Sequence, residues 1–383
     1  MNNKIVAFVA VAALCIAAAA VVVYYADSKD NNDGPVSIVD GSGTTIALDE
    51  PLTGTITLGT NILKAMKVLG LTSELKGLSF YTSSSATDQS NWDTYSPWFP
   101  DATHMSTAQT MTAEQIMTVC KYIICPVSSM TLSTSQITSF NEMGITVIKL
   151  DCYGDTALED IEKLTILFGQ KKPTMDAYNN YLSTSKGVTD AVKGKVRNAV
   201  SSDNDTFLYY LDSGTFFYNQ TSEGSLMIEQ IYGKNALRNI AGLDTSGVSN
   251  TANSNLAEVL VAEDAKNSID KIFIRSTSPA TESAAVAVWN NCLLNTDALY
   301  CTLSQISASG TNEIYVFNSN VMSGMLSYVG WIVIAEVCGI DTGYDVADLI
   351  QDYNDKYGFT EPTSGYAFHI TITGGTASAV KLF

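Results

Sequence analysis

The feature that most constrains this chain is an alternation of short apolar runs with amphipathic stretches, which occurs twice along its length. In the first half, TGTITLG, KYIICPVSS and ITVIKLDCYG have the composition of buried strands, while NILKAMKVLG has helical periodicity and ends at Gly70. A further helix is predicted to end near 142–144. Such alternation is typical of parallel sheets covered by helices. The first half is therefore predicted to be an α/β unit.

The second half repeats this plan with TFLYYLDSG, an amphipathic stretch at 225–233, and the runs KIFIRSTS and EIYVFNSN. The closest internal similarity is between MTAEQIMTVCKYIICP at 111–126 and the segment at 255–276. Each segment opens with a helix-capping residue, places a glutamate in the first turn, and ends in an apolar strand. Two similar α/β halves are therefore predicted.

A persistently helical pattern at 158–200 separates the halves, and Pro173 interrupts it, as proline does at a helix start or break. We predict two Rossmann-like lobes with parallel sheets, at 37–157 and 201–383, joined by one long helix. A cleft is expected between the lobes.

The N-terminus predicts export. The run from Ile5 to Tyr25 carries no charge and is long enough to cross a bilayer as a helix. Lys4 favours a cytoplasmic start, so 1–26 is predicted to be a single-pass anchor and 27–36 a spacer to an extracellular or periplasmic domain. A cleaved signal peptide and a lipid on Cys15 are the alternatives, and each also exports the remainder.

The charge of the chain excludes one class of partner. The formal net charge is −18, with 21 Lys and Arg against 39 Asp and Glu. Nucleic-acid binding requires clustered cations to neutralise phosphates, so no nucleic-acid partner is expected. An acidic surface of this kind keeps a protein soluble in extracellular surroundings.

No motif predicts catalysis or a resident metal. No G-x-S-x-G elbow is present, His104 and His369 have no evident partner, and the seven cysteines form no zinc constellation. Cys292 with Cys301 is the pair to test first for a disulfide. We expect no catalytic residue, no metal ligand and no cofactor, although an exported hydrolase and a sensor or adhesin ectodomain stay open as alternatives.

Four segments follow one another along the chain: the opening VSIVDGSGTTIALDEPLTGTITLGTNILKAMKVLGLTSELKGLS, then MTAEQIMTVCKYIIC, NEMGITVIKLDCYGDTALEDIEKLTILFG and IEQIYGKNALRNIAG. In this order they resemble the ABC-importer binding proteins for iron–siderophore complexes, haem and cobalamin, the class III family with a helical backbone. The opening is similar to the family's first hairpin, strand and helix. The end of the chain, from IYVFNSN to DKYGF, is similar to archaeal members. Lys121 departs from the usual Pro-Asp, and the segments at 83–107 and 244–255 resemble long insertions.

The resemblance implies a monomeric receptor that delivers a ferric siderophore, haem or cobalamin to an ABC permease and ATPase. It also implies that Glu114 and Glu258, one on each lobe, pair with permease arginines during docking. The structural alternative is helix capping, since Thr112 with Gln115 and Asn255 with Glu258 fit capping boxes.

The ligand is expected beyond the carboxyl ends of the strands, where open α/β sheets bind small molecules. The residues predicted to bind it are Tyr81, Trp92, Tyr95, Trp98, Ser128, Tyr153, Asp212, Tyr218, Arg275 and Ser323. Flat aromatic rings in the polar 83–107 loop suit a bulky chelate or macrocycle. The alternative is that they cover a hydrophobic edge, which is the role expected of Phe80 and Phe99.

Arg275 ends an apolar strand and is one of only three arginines. Its guanidinium could bind a ligand carboxylate or phosphate, or could form an ordinary salt bridge. Direct ligation of ferric ion by oxygen donors is a further alternative, with Tyr81, Tyr153, Tyr218 and Asp212 as candidates.

Overall fold

The computed structural model describes residues 34–80, 85–105, 107–127, 132–199, 206–211, 216–218, 223–236, 248–250, 269–276, 280–294, 313–322 and 324–383. Their contacts divide the chain into two compact units. Unit 1 comprises the residues up to Leu150 together with Glu159–Asn179, and unit 2 comprises Asp151–Leu158 together with Asn180–Phe383.

The predicted anchor at 1–26 lies outside the described residues, as does most of the predicted spacer. In the part of the chain that is described, no helix is both long and apolar enough to span a bilayer.

Unit 1 contains a hairpin and a five-stranded sheet. The strands are β1 (Val36–Val39), β2 (Thr45–Leu48), β3 (Thr55–Leu58), β4 (Leu75–Ser79), β5 (Thr103–His104), β6 (Tyr122–Cys125) and β7 (Thr146–Lys149). β1 and β2 pair antiparallel as the hairpin. The sheet has the order β5-β4-β3-β6-β7, and each of its pairs is parallel. The predicted parallel sheet is confirmed, and its strand order reverses between β3 and β6, as in doubly wound folds.

Five helices accompany this sheet among the described residues. They are α1 (Thr60–Val68), α2 (Ser85–Tyr95), α3 (Ala113–Val119), α4 (Thr134–Glu142) and α5 (Ala157–Leu167). α1 buries the face carrying Ile62 and Met66, and Gly70 follows it in a left-handed conformation with φ +71°. α3 begins with a reciprocal capping box between Thr112 and Gln115, as predicted.

A long helix, α6 (Lys172–Ala199), runs from residues of unit 1 into residues of unit 2. Pro173 is its second residue, a position where the missing N–H of proline costs no helical hydrogen bond. The predicted interruption at Pro173 is therefore confirmed as the start of this helix.

Unit 2 contains an eight-stranded mixed sheet. Its strands are β8 (Thr206–Leu211), β9 (Phe216–Tyr218), β10 (Lys234–Asn235), β11 (Val248–Asn250), β12 (Lys271–Ser276), β13 (Glu313–Asn318), β14 (Ala367–Thr373) and β15 (Thr376–Lys381). β12 lies between β8 and β13 and is parallel to both. The sheet ends in antiparallel strands, β9 and β11 on one side and the β14–β15 hairpin on the other.

The described helices of unit 2, besides α6, are α7 (Glu223–Ile231), α8 (Glu282–Leu294), α9 (Ser327–Val337) and α10 (Val346–Tyr357). Trp289 of α8 is fully buried against β12, β13 and β14. α9 is buried continuously from Tyr328 to Ala335, as expected for a helix that is apolar on all sides. The predicted segment at 255–268, which should repeat α3, lies outside the described residues.

Within the described part of the chain, Cys120, Cys125, Cys152 and Cys338 are thiols rather than disulfides, and Cys120 donates to the Gly54 carbonyl at 3.2 Å. Cys125 is buried, and burial raises the pKa of the half-buried Cys120 thiol. The side chains of the pair predicted at Cys292 and Cys301 lie outside the described residues.

Candidate ligand-binding surfaces

The first candidate surface lies where the strand order of unit 1 reverses. Gly59 follows β3 with φ +111°, and a Cβ at that position would lie 3.0 Å from the ring of Pro126, which follows β6. The loops after β3 and β6 therefore meet closely at the carboxyl end of the sheet, and only glycine suits this conformation. This edge is where doubly wound folds bind ligands.

The predicted aromatic residues of unit 1 lie on a helix rather than in a long loop. α2 occupies 85–95 and carries Trp92 and Tyr95, and a short 3-10 turn, Ser96–Trp98, carries Trp98. The prediction of an irregular loop at 83–107 was wrong for this part. Trp92 and Tyr95 are three residues apart and so lie on one side of α2, and Trp98 follows in the adjoining turn.

The three predicted rings are half-buried and in contact with other groups. Tyr95 and Trp98 meet edge to face at 5.0 Å, and the Lys67 ammonium lies 4.2 Å from the centroid of the Trp98 ring. Burial lowers the pKa of Lys67. Phe80 and Phe99 are buried, which confirms the predicted packing role for both. One ring face of Trp98 thus already holds a cation.

Trp92 stacks on His104, with ring centroids 4.4 Å apart and planes 9° apart. His104 Nε2 in turn lies 3.0 Å from Asp88 Oδ2. The expectation that His104 has no partner was wrong, because α2 places Asp88 beside it across sixteen residues of sequence. Trp92, His104 and Asp88 form a stacked and hydrogen-bonded group, in which the carboxylate fixes the orientation of the imidazole.

In unit 2, Arg275 and Tyr153 form the second candidate surface. Arg275 is the penultimate residue of β12, beside Leu211 of β8 and Phe317 of β13. Its Nη1 donates to the Tyr153 hydroxyl at 2.8 Å, and its guanidinium carbon lies 5.8 Å from the centroid of the Tyr153 ring. Both side chains are half-buried. A guanidinium with five donors retains the capacity to bind an anionic group while it contacts a phenol.

Side chains from α6 and β13 fix the backbone that follows β13. Tyr181 of α6 is buried and donates its hydroxyl to the Met325 carbonyl at 2.9 Å. Asn318 caps the 3-10 turn Ser319–Val321 through its side-chain oxygen, which accepts from the Asn320 N–H at 3.0 Å. These contacts fix the backbone on either side of the predicted ligand residue Ser323, which itself lies outside the described residues.

The remaining predicted ligand residues cannot be placed in either surface. Tyr81, Ser128 and Asp212 lie outside the described residues, as does the predicted docking residue Glu258. Tyr218 belongs to β9, but its side chain lies outside the described part of the chain.

Glu114 is fully exposed in the first turn of α3. A hydrogen bond from its own backbone N–H, and then one from Thr112, lower the pKa of its carboxyl. The capping box next to it is complete without its carboxylate. Glu114 is thus an ionised surface residue, and capping by Thr112 and Gln115 does not depend on it.

The contacts that sequence reasoning missed are those of Lys67, His104 and Asp88. Lys67 lies in the last turn of α1, thirty-one residues before its aromatic partner, and no local pattern joins them. The one available signal for Asp88 and His104 was that both flank the aromatic run at 92–99.

Neither the protein-family models nor the curated proteins give a match to this sequence. Among solved structures, the chain is similar to the TroA-like periplasmic binding protein FepB from Veillonella parvula, with a TM-score of 0.59 and 14% identity, covering 87% of this chain and 99% of that one. It is also similar to CeuE of Helicobacter pylori in a nickel–histidine complex, with a TM-score of 0.57 and 14% identity, covering 86% and 97%.

A third similar structure is a periplasmic haem-binding protein from Pseudomonas aeruginosa, with a TM-score of 0.50 and 14% identity, covering 74% of this chain and 92% of that one. The FepB protein and the haem protein are described as periplasmic binding proteins. At these identities the similarity establishes a shared fold.

Proposed function

We propose that this chain, which has the fold of TroA-like periplasmic solute-binding proteins, is an exported receptor that delivers a metal chelate to an ABC importer. The observation that carries the proposal is the Arg275–Tyr153 pair at the carboxyl end of β12. This pair combines a guanidinium with an aromatic ring at the edge where α/β sheets bind ligands. The solved structures with this fold include a nickel–histidine complex of CeuE and a periplasmic haem-binding protein.

The ligand of this receptor is a ferric siderophore, haem or a corrinoid. Trp92, Tyr95 and Trp98 supply half-buried rings that suit a bulky, flat ligand, because rings bind such ligands with little loss of conformational entropy. Arg275 supplies a guanidinium for a carboxylate or a phosphate of the ligand. Tyr81, Ser128, Asp212, Tyr218 and Ser323 remain proposed contacts from the sequence.

The receptor is tethered outside the cell by the apolar run from Ile5 to Tyr25. Its transport partner is an ABC permease with its ATPase. Glu114 is proposed to dock on the permease, because its carboxylate is ionised, fully exposed and unnecessary to the local cap. Glu258 is proposed as the corresponding residue of the second half.

The test is titration of the purified full chain with cobalamin, haem and ferric chelates, followed by absorbance and calorimetry. We expect one of them to bind with a Kd well below about 100 μM, equivalent to about 5–6 kcal/mol. Arg275→Gln should weaken binding about tenfold or more, because charge-assisted hydrogen bonds contribute roughly 1.5–3 kcal/mol. Arg197→Gln, which removes an exposed arginine of α6, is the matched control and should leave Kd unchanged.

Two results would count against the receptor proposal. One is the absence of binding tighter than about 100 μM across the whole panel of chelates. The other is an equal loss of affinity in Arg275→Gln and Arg197→Gln, which would show a general charge effect rather than a contact made by Arg275.

A further inference from the structure

Unit 2 contains a pocket of about 470 Å³ between helices α6, α9 and α10. This volume lies within the range of small-molecule sites, roughly 300–1,000 Å³. None of its lining residues is among those predicted for chelate binding. Its lining includes Tyr181 of α6, Tyr328 of α9, and Asp352, Tyr353, Lys356 and Tyr357 of α10.

Four tyrosines form the walls of the pocket. The Tyr181 ring lies 6.5 Å from the rings of both Tyr328 and Tyr357, with interplanar angles of 75° and 71°. Tyr353 and Tyr357, one helical turn apart, lie at 5.3 Å and 58°. Rings at such steep angles present faces and edges on more than one side of a shared space, which is the arrangement of an aromatic cage.

The tyrosine hydroxyl groups of this pocket differ in whether they have a hydrogen-bond partner. Tyr181 donates to a main-chain carbonyl, as described above. Tyr353 is only 3% exposed, yet its hydroxyl has no hydrogen-bond partner among the described residues, and the same holds for the Tyr357 hydroxyl. A buried hydroxyl without a partner costs about 1–3 kcal/mol, so its presence in a pocket wall indicates a polar ligand.

These phenols stay neutral at ordinary pH. Burial raises the pKa of Tyr357 to about 12 and the pKa of Tyr353 well above its usual value. Burial also raises the pKa of Tyr328, with a further contribution from the negative charge of Asp352. The walls therefore offer electron-rich rings and neutral hydroxyls rather than phenolates.

The charges around the pocket favour a cation. Asp352 and Asp355 line it and are exposed, and Asp355 accepts a hydrogen bond from Gln351 at 2.8 Å. The one lysine in the lining, Lys356, places its ammonium 5.5 Å from the centroid of the Tyr357 ring. One ring of the cage thus already attracts an ammonium group of the protein itself, and the whole chain carries a net charge of −18.

We propose that this pocket is a second ligand site, which binds a small organic ammonium ion that also carries a hydroxyl or carbonyl group. The tyrosine faces bind the cationic head, Asp352 and Asp355 compensate its charge, and the Tyr353 hydroxyl forms a hydrogen bond with the polar group. The site is independent of chelate binding, so its failure would leave the receptor proposal intact.

The test uses choline as the probe, with 3,3-dimethylbutan-1-ol as a neutral molecule of the same shape, in calorimetric titrations of the full chain in a mild non-ionic detergent. We expect choline to bind with a Kd below about 1 mM. The neutral alcohol should bind about tenfold more weakly, because the cation–π attraction in a partly desolvated cage is lost. Equal affinity for the two molecules would overturn the proposal.

Two conservative variants separate the contributions of charge and hydroxyl. Lys356→Gln should tighten choline binding a few-fold, because it removes the ammonium that competes for the Tyr357 ring. Tyr353→Phe should weaken choline binding but leave tetramethylammonium binding unchanged, because tetramethylammonium has no group for that hydroxyl. Weaker choline binding in Lys356→Gln would contradict a site for a cation beside Lys356, and an equal effect of Tyr353→Phe on both ligands would contradict the assigned hydrogen bond.

Discussion

Replacing Gly330 with alanine should destabilise unit 2, whereas the same replacement at Gly187 should stabilise it. Gly330 lies inside α9, where an added Cβ would fall well within 3.0 Å of the main-chain carbonyl oxygen of Val321. That oxygen ends the 3-10 turn Ser319–Val321, so relief of the clash requires backbone movement rather than rotation of a side chain. Gly187 is an exposed residue of α6, and nothing lies within 4 Å of its Cβ position.

The magnitudes follow from two opposing effects. Alanine is favoured over glycine inside a helix by about 0.5–1 kcal/mol, which is the full expected gain at Gly187. Overpacking against a rigid neighbour costs about 1–3 kcal/mol or more, so Gly330→Ala should lose about 1–2 kcal/mol net. For a unit of this size that corresponds to a decrease in Tm of about 2–8 °C, against an increase of about 1–4 °C for Gly187→Ala.

The assay is thermal unfolding followed by circular dichroism without ligand, on both variants and the parent chain. A Tm at or above the parent value for Gly330→Ala would refute the close packing of α9 on the turn after β13. Because that turn precedes Ser323, Gly330→Ala should also weaken chelate binding, while Gly187→Ala should not.

Three further predictions concern an exposed carboxylate, a helix cap and two tyrosines. Glu114→Arg should leave Tm and chelate affinity unchanged, since the carboxylate is fully exposed. The same change should abolish uptake of the chelate by cells. Normal uptake would show that Glu114 does not contact the permease. Thr112→Ala should lower the free energy of unfolding by about 1 kcal/mol in urea titrations, because the capping box is lost. An unchanged free energy of unfolding would show that this cap does not contribute to the cooperative unfolding transition. Burial raises the pKa of Tyr178 and Tyr357 to about 12 in the folded chain, whereas tyrosine in an unfolded chain has a pKa of about 10. Between these two pH values the folded state keeps phenol protons that the unfolded state has lost. The free energy of unfolding should therefore fall between about pH 10 and pH 12, and should fall less in a Tyr178→Phe, Tyr357→Phe variant than in the parent chain.

The architecture was predictable because its signals are local and repeated. Apolar runs bounded by turn residues predicted β3, β6, β7, β8, β12 and β13, and apolar periodicity predicted α1. α2 was missed for a physical reason. Its sequence SATDQSNWDTY is polar with no apolar stripe, so nothing in the pattern separates it from a loop, and its aromatic residues are half-buried rather than part of a core.

The candidate surfaces were only partly predictable, because their contacts join residues far apart in sequence. Arg275 and Tyr153 were each selected for their position after a strand, but 122 residues separate them, and no pattern indicated that they would bond to each other. Lys67 was not selected at all, since a lysine in the last turn of a helix is ordinarily explained by the helix dipole. Residue types suited to ligand binding could be inferred from the sequence, whereas their pairing required the fold.

The contacts that Arg275 and Lys67 make with aromatic rings limit the charge of a ligand that each described surface can bind. Binding an anion inside a partly desolvated site requires a compensating cation, because an unpaired buried charge is strongly unfavourable. Among the described residues, the cations at the two surfaces are Arg275 and Lys67, and each already contacts an aromatic ring. Because the chain carries a net charge of −18, a surface with one such cation suits a neutral hydroxamate chelate, or a single carboxylate or phosphate of a ligand such as haem or a corrinoid. A ferric tris-catecholate carries three negative charges, and it would meet the repulsion of the acidic chain without a matching set of cations.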